Sequence, residues 1–288
     1  MSQIVLGTAT QQNLLALQNI NDQLGVTQGH LATGLAVASA TDDAVKYFQA
    51  QSLSNRASDL SNRKDAIAQG IQSLTAATNG INSVISILQQ MEGIVNGAST
   101  QTAAQRKSAA SQFDTLAQQL STLLNDASYQ GLNLVNATTS NLTLQFSITS
   151  TSILKIAGQN LLFSKLVTAG KAVGKGSVAA TKLITLKFSA VSNKISFFTN
   201  LYNALQTAVF KSQAAAQSLG SNVNFLQTRL SFTEQYITTL QGGASDLTVA
   251  DVNQESTDLV TLQTRQQLAI QSLSIATQSE QAVLRLFH

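Results

Sequence analysis

The chain has 288 residues, 43% of them hydrophobic, enough to bury a core, and only 11% charged, less than half the usual quarter. It has no Cys, Pro or Trp and only two histidines, His30 and His288. This composition excludes disulfide scaffolds, thiolate metal sites, cysteine nucleophiles and histidine metal clusters, and it suits long uninterrupted helices.

Residues Met1 to Thr8 have neither a basic segment nor a long apolar run, so no cleavable secretory signal is expected. No apolar run approaches the roughly 20 residues of a membrane helix, so no membrane insertion is expected. Leu17, Ile20, Leu24 and Leu31 keep the three-four spacing of an amphipathic helix. Ser39-Ala40-Thr41-Asp42 has capping-box form and is expected to start the next helix. Leu53, Leu60, Ile67, Leu74, Ile81, Leu88 and Val95 then fall seven residues apart without a break. A second row, Ala57, Lys64, Ile71, Thr78, Ile85 and Glu92, and a third, Arg56, Arg63, Gly70, Ala77, Val84 and Met91, become apolar mainly in the middle. Such a repeat predicts a coiled-coil helix of about 45 residues, roughly 65–70 Å long, ending at Gly97. A shorter helix follows with Phe113, Leu116, Leu120 and Leu123 on one face, ending near Tyr129-Gln130-Gly131.

The middle breaks the helical period. Leu142, Leu144, Phe146 and Ile148 alternate as in a half-buried strand, and Ile184, Leu186 and Phe188 do likewise. Between them, residues 169–177 read as an exposed turn or loop. A second seven-residue row follows: Tyr202, Val209, Ala216, Val223, Leu230 and Ile237. Leu205, Leu219, Leu226 and Leu240 adjoin it, and Gly242-Gly243 is expected to stop this helix. Two such helices in one chain most simply pair antiparallel. In the tail, Leu259, Leu262, Ala269, Leu273, Ala276, Val283 and Phe287 share one face, while Leu268, Ile275 and Ala282 form a second row. A helix apolar on more than one face must be covered on more than one side. A lone antiparallel pair cannot do that, whereas neighbouring copies can.

The net charge of +3 divides unevenly: −2 over residues 1–126, +9 over the acid-free 127–233, and −4 over 234–288. The basic middle reads as a separate module, either a patch for an anionic polymer or a solvated outer surface. Gly174-Lys175-Gly176-Ser177-Val178-Ala179 matches a dinucleotide fingerprint, but no acid to hold a ribose follows before Glu234. Asp42-Asp43 fits a helix N-terminus better than a metal or acid–base site. His30 has no second ligand within a turn or two, which favours a packing or surface role. Asn136-Ala137-Thr138 and Asn141-Leu142-Thr143 fit a glycosylation sequon, a short and common pattern. No convergent catalytic set and no cofactor site emerge, so the chain reads as a non-enzyme.

Leu31-Ala32-Thr33-Gly34-Leu35 followed by Ser39-Ala40-Thr41-Asp42-Asp43-Ala44 resembles the N-terminal signature of bacterial flagellins, with Ala36 where an Arg commonly stands. Tyr129-Gln130-Gly131-Leu132-Asn133-Leu134 resembles that family's aromatic-x-glycine segment. Asp251-Val252 through Gln267 to Val283-Leu284-Arg285-Leu286-Phe287 resembles its C-terminus. The resemblance covers about residues 1–135 and 200–288 and leaves 136–200 without a counterpart. It implies a mostly α fold: a long antiparallel coiled-coil rod, a small β-rich central insert, and terminal helices that pack in a helical filament. Residues 1–43 and 245–288 would form an inner-tube domain, 44–135 and 200–244 a rod domain, and 136–199 a surface insert.

On this resemblance the rod core comprises Leu53, Leu60, Ile67, Leu74, Ile81, Leu88, Val95, Val209, Leu219, Val223, Leu226, Leu230 and Ile237. Inner-tube packing falls to Leu17, Ile20, Leu24, Leu31, Leu259, Leu262, Leu268, Leu273, Ile275, Val283 and Phe287. The implied function is a secreted, extracellular subunit that polymerises into the flagellar filament for motility. The implied partners are other copies of itself, the flagellar export apparatus, a secretion chaperone, and junction and cap proteins. Nucleic acid is not expected. Two alternatives stay open: a hook–filament junction protein, and a coiled-coil module binding anionic polymers. Many flagellins carry leucine-glutamine-arginine-x-arginine-glutamate-leucine where an animal innate receptor recognises them. The corresponding segment here is Leu88-Gln89-Gln90-Met91-Glu92-Gly93-Ile94, altered at Gln90, Glu92 and Gly93, which implies weak recognition.

Overall fold

A computed structural model describes residues 8–136, 140–147, 151–167 and 195–286. The helices are α1 (Thr8–Thr33), α2 (Ala44–Ala98), α3 (Ala103–Asp126), the single-turn α4 (Phe163–Leu166), α5 (Ile195–Thr248) and α6 (Val252–Leu286). Between α3 and α4 lie two antiparallel strand pairs, β1 (Ser128–Tyr129) with β2 (Leu132–Asn133) and β3 (Asn141–Gln145) with β4 (Ile153–Ala157). The fold is mostly α with long antiparallel helices and a small β-containing centre. The chain forms two compact units, one of residues 1–57 and 238–288, the other of residues 58–237. The fingerprint-like 174–179, the alternation at 184–188, Ile148, Lys171 and Lys175 lie outside the described residues.

In the 58–237 unit the seven-residue spacing of α2 becomes a seam. Ile67, Leu74, Ile81, Leu88 and Val95 are fully buried, and so are Val84 and Met91, with Ala77 beside them. These residues alternate three and four apart, which keeps one stripe of a helix facing its partners. Ile71 and Ile85 flank the stripe, half-buried. Leu60 is buried at the start of this unit. The helix has 55 residues, ten more than the repeat alone predicts, because it begins at Ala44.

Thr102 opens α3 with a full capping box, its side chain and that of Gln105 each satisfying the other's backbone N–H. The buried face of α3 is Ala109, Phe113, Ala117, Leu120 and Leu124; Leu116 and Leu123 sit half-buried on its flank. Asn133 closes the other end. Its amide donates to the carbonyls of Leu124 and Asn125 at 2.7 and 3.2 Å, and its Oδ1 accepts from the N–H groups of Val135 and Asn136. The β1–β2 turn needs two left-handed residues, supplied by Gln130 (φ 49°) and Gly131 (φ 80°).

The seam of α5 differs from the apolar row. Phe198, Leu205, Ser212, Leu219, Leu226 and Thr233 are spaced by seven and all buried. The row Tyr202, Ala216, Val223, Leu230 packs beside it half-buried, and Val209 is buried. Ser212 and Thr233 hide this seam from a count of apolar residues. Their hydroxyls donate to the carbonyls four residues back, at 2.9 and 2.8 Å, so neither is left unsatisfied in the core.

Gly242-Gly243 does not stop the helix: α5 runs on to Thr248. Glycine ends helices by taking a left-handed conformation, and among the described glycines only Gly34 and Gly131 have positive φ.

The β3–β4 pair sits on this unit. Leu142 and Leu144 point inward and Thr143 outward, as the alternation predicts, with Leu144 opposite Leu154 in the pairing. Phe146 packs edge-on to Phe225, and the Arg229 guanidinium stacks over both Phe146 and Phe232, 5.1 and 5.0 Å from the ring centroids.

Candidate assembly surface

The terminal unit is built on α1 and α6. His30 Nδ1 lies 2.8 Å from Glu255 Oε1, and the Gln266 amide donates to Asn21 Oδ1 at 2.6 Å. Nine residues back along α1 therefore correspond to eleven forward along α6, so the two run antiparallel. No local pattern points to Glu255 as the His30 partner, because 225 residues separate the two.

The link regions hold this pair. Gly34, at φ 72°, ends α1 with its N–H on the His30 carbonyl. The N–H groups of Ala36 and Val37 both reach the Thr248 carbonyl, and Ala250 N–H reaches Gly34 O, so residues 34–37 and 248–250 zip together. Asp42 folds the following turn: its carboxylate accepts from Ala38 N, Ser39 N and the Ser39 hydroxyl. The Ser39 hydrogen bonds are the main reason its pKa lies below the usual carboxylate value. The capping role expected of Ser39 belongs to Asp43 instead, whose Oδ1 accepts from Lys46 N at 3.0 Å one turn into α2. Asp251 caps α6 in the same way, through Asn253 N and Gln254 N.

Within the α1–α6 pair Leu24 and Leu262 are buried, while Leu17, Ile20, Leu31, Leu259 and Leu273 are half-buried. Leu53 is half-buried in this same unit, and Ile237 is half-buried at the end of the other. The second row is bare: Leu268 is 61% and Ile275 60% exposed, joined by Val260 at 62%. On α1, Leu15 and Val26 are also open. The side chain of Val283 is not described, and Phe287 lies outside the described residues. A groove of about 500 Å³ between the helices is lined by Asp22, Val26 and Thr27 on one side and Asp258, Leu262 and Arg265 on the other.

The bacterial flagellin N-terminal helical region matches residues 6–140, and the C-terminal helical region matches residues 202–287. The chain belongs to the bacterial flagellin family. It is similar to Flagellin FljM of Caulobacter vibrioides, 29% identical over 279 residues that cover 95% of both chains. It is also similar to a flagellin of Brucella melitensis, 26% identical over 287 residues, covering 100% of this chain and 99% of the relative. Among solved structures, a putative flagellar hook-associated protein from Vibrio parahaemolyticus shares the fold, with a TM-score of 0.61 at 14% identity. The match covers 72% of this chain and 100% of that one.

As a flagellin, the chain is a structural filament subunit, and the link residues acquire a common purpose. Gly34 and Asp43 from the N-terminal signature, and Asp251 from the C-terminal one, terminate or start helices of the terminal unit, and Asp42 folds the turn between two of them. At the altered receptor segment, Gln90 and Gly93 are exposed. Glu92 is half-buried, its Oε1 has no hydrogen-bond partner among the described residues, and desolvation raises its pKa. Among the described residues no group of three or more His, Cys, Asp or Glu side chains is placed to hold a metal ion, and no helix is long and apolar enough to cross a membrane.

Proposed function

We propose that copies of this chain polymerise into the flagellar filament through α1 and α6, with the terminal unit forming the filament's inner tube. The observation that carries this reading is the bare surface of α6, where Leu268 and Ile275 of the second row and the neighbouring Val260 are exposed. Burying one such side chain gains about 1.5–3 kcal/mol, so leaving three exposed on one helix is unfavourable unless another surface covers them. Residues 44–135 and 200–244 serve as the surrounding rod and 136–199 as the outer insert. The subunit acts outside the cell, reaches its place through the flagellar export apparatus with a secretion chaperone, and meets junction and cap proteins at the filament ends. Its role is structural and not enzymatic.

The test is seeded growth followed by electron microscopy. Removal of residues 1–33 and 250–288 should leave a soluble, helical monomer that cannot extend short seed filaments. Filaments from the trimmed protein would show that the terminal helices are not the assembly surface.

A further inference from the structure

The groove between α1 and α6 carries charges that its own chain leaves unmatched. α1 and residues 252–279 of α6 contain five charged or titratable side chains: Asp22, His30, Glu255, Asp258 and Arg265. His30 and Glu255 pair with each other. Asp22, Asp258 and Arg265 have no ion-pair partner among the described residues, and all three line the groove. Between them lie the buried Leu262 and Thr27 and the open Val26. The groove thus has an apolar centre and walls of both signs.

We propose that this groove is the register contact between two copies of the chain, with Arg265 of one copy meeting Asp22 and Asp258 of its neighbour. This rests on the reading that α1 and α6 are the assembly surface. The apolar rows attract without direction, and most of the remaining surface of the two helices is Gln, Ser, Thr and Asn, which distinguishes one register poorly. Opposite charges in a contact that sheds water fix position and reject the wrong one, since like charges brought together there repel strongly. Charge complementarity also identifies the occupant. Within these segments Arg265 is the single fixed cation and Asp22 and Asp258 are the acids left over, so a second copy supplies what each lacks.

The experiment is seeded elongation by full-length protein. Arg265→Glu makes the groove wholly acidic, and Asp22→Arg with Asp258→Arg makes it wholly basic. Each variant alone should extend seeds about tenfold more slowly or worse. An equal mixture should recover to within a few-fold of the unmodified chain, because acidic and basic copies can alternate. A role confined to one chain cannot produce that rescue. Wild-type elongation by either variant alone, or a mixture no faster than its components, overturns the proposal. Circular dichroism of the monomers separates misfolding from lost contact. Should Arg265→Glu lose helicity, Arg265→Gln must still slow growth and Arg265→Lys must largely restore it; failure of either overturns the proposal too. The trimmed chain keeps the two readings apart. If it extends seeds, the assembly surface itself is wrong; if it does not, but the charge variants do, only the register contact fails.

Discussion

Gly80→Ala should destabilise the 58–237 unit, although alanine is the better helix former. Gly80 lies inside α2, where replacing glycine by alanine ordinarily gains about 0.8–1.0 kcal/mol. A Cβ at Gly80 would stand 2.7 Å from the Cβ of Ala127. Carbon atoms pack best at about 3.5–4.0 Å, so the shortfall is close to an ångström. Ala127 has no rotamer with which to yield, and as the C-cap of α3 its N–H is bonded to Leu123 O. Backbone must therefore move, and overpacking of this kind costs about 1–3 kcal/mol. The clash exceeds or cancels the propensity gain. Gly93→Ala, on the same helix, meets nothing within 4 Å and should keep the full gain. Urea unfolding of the monomer, followed by far-UV circular dichroism, should give a lowered midpoint for Gly80→Ala and a raised one for Gly93→Ala. The double variant with Ala127→Gly should lose most of the Gly80→Ala penalty when measured against Ala127→Gly alone. Equal stabilisation by both alanines would refute the close approach of α2 to the end of α3.

Leu74→Ala should cost roughly 2–5 kcal/mol in the same assay, since Leu74 is fully buried in the seam; an unchanged midpoint would place it elsewhere. Glu92 gives a pH signature. Its folded pKa is raised, so the native state holds the proton longer than the unfolded chain. Stability from this group is then lost as pH rises from the ordinary glutamate value through the raised one. Glu92→Gln should flatten that limb of the stability profile, and an unaltered profile would mean the carboxylate is well solvated. We also expect the monomer to signal weakly through the animal innate receptor for flagellin in a reporter assay: by resemblance, Gln90 and Glu92 stand where many flagellins carry arginines, each offering a planar fork of donors. Gln90→Arg, Glu92→Arg and Gly93→Glu together should raise the response; potency already equal to that of an arginine-bearing flagellin would contradict this.

What the sequence discloses is local. The period of Leu60 through Val95 marks a long helix because side chains seven apart share a face whatever surrounds them. The alternation of Leu142, Leu144 and Phe146 marks β3 for the same reason. β4 is hidden in the sequence, since its outer face carries the apolar, exposed Ile153 beside the inward Leu154 and Ile156, so apolar residues do not alternate although burial does. The α5 seam is hidden by Ser212 and Thr233, whose hydroxyls are satisfied within the helix and so cost little at a buried position. Gly242-Gly243 reads as a stop, yet glycine also tolerates helical dihedrals where the flanking turns hold it. On the terminal unit, the second apolar row is visible from spacing alone. The groove and its charges are not, because Asp22 and Arg265 are brought together only when α1 lies against α6.

The glycine pair Gly242-Gly243 also sets where the C-terminal end of α5 is easiest to open. Each weakens the helix by about 1 kcal/mol relative to alanine, and at Gly242 a Cβ would meet nothing within 4 Å, so close packing does not require the glycine there. Backbone amides around this pair should therefore exchange hydrogen with solvent sooner than those along the Leu205 row, where apolar layers must part first. A soft turn this close to its C-terminal end lets the helix fray there without unzipping the seam. The last turns of α5 and the Thr248 carbonyl that anchors Ala36 and Val37 can thus melt and re-form as a separate, faster event. Order at the ends of this chain is in that sense provisional, while order along the seam is not.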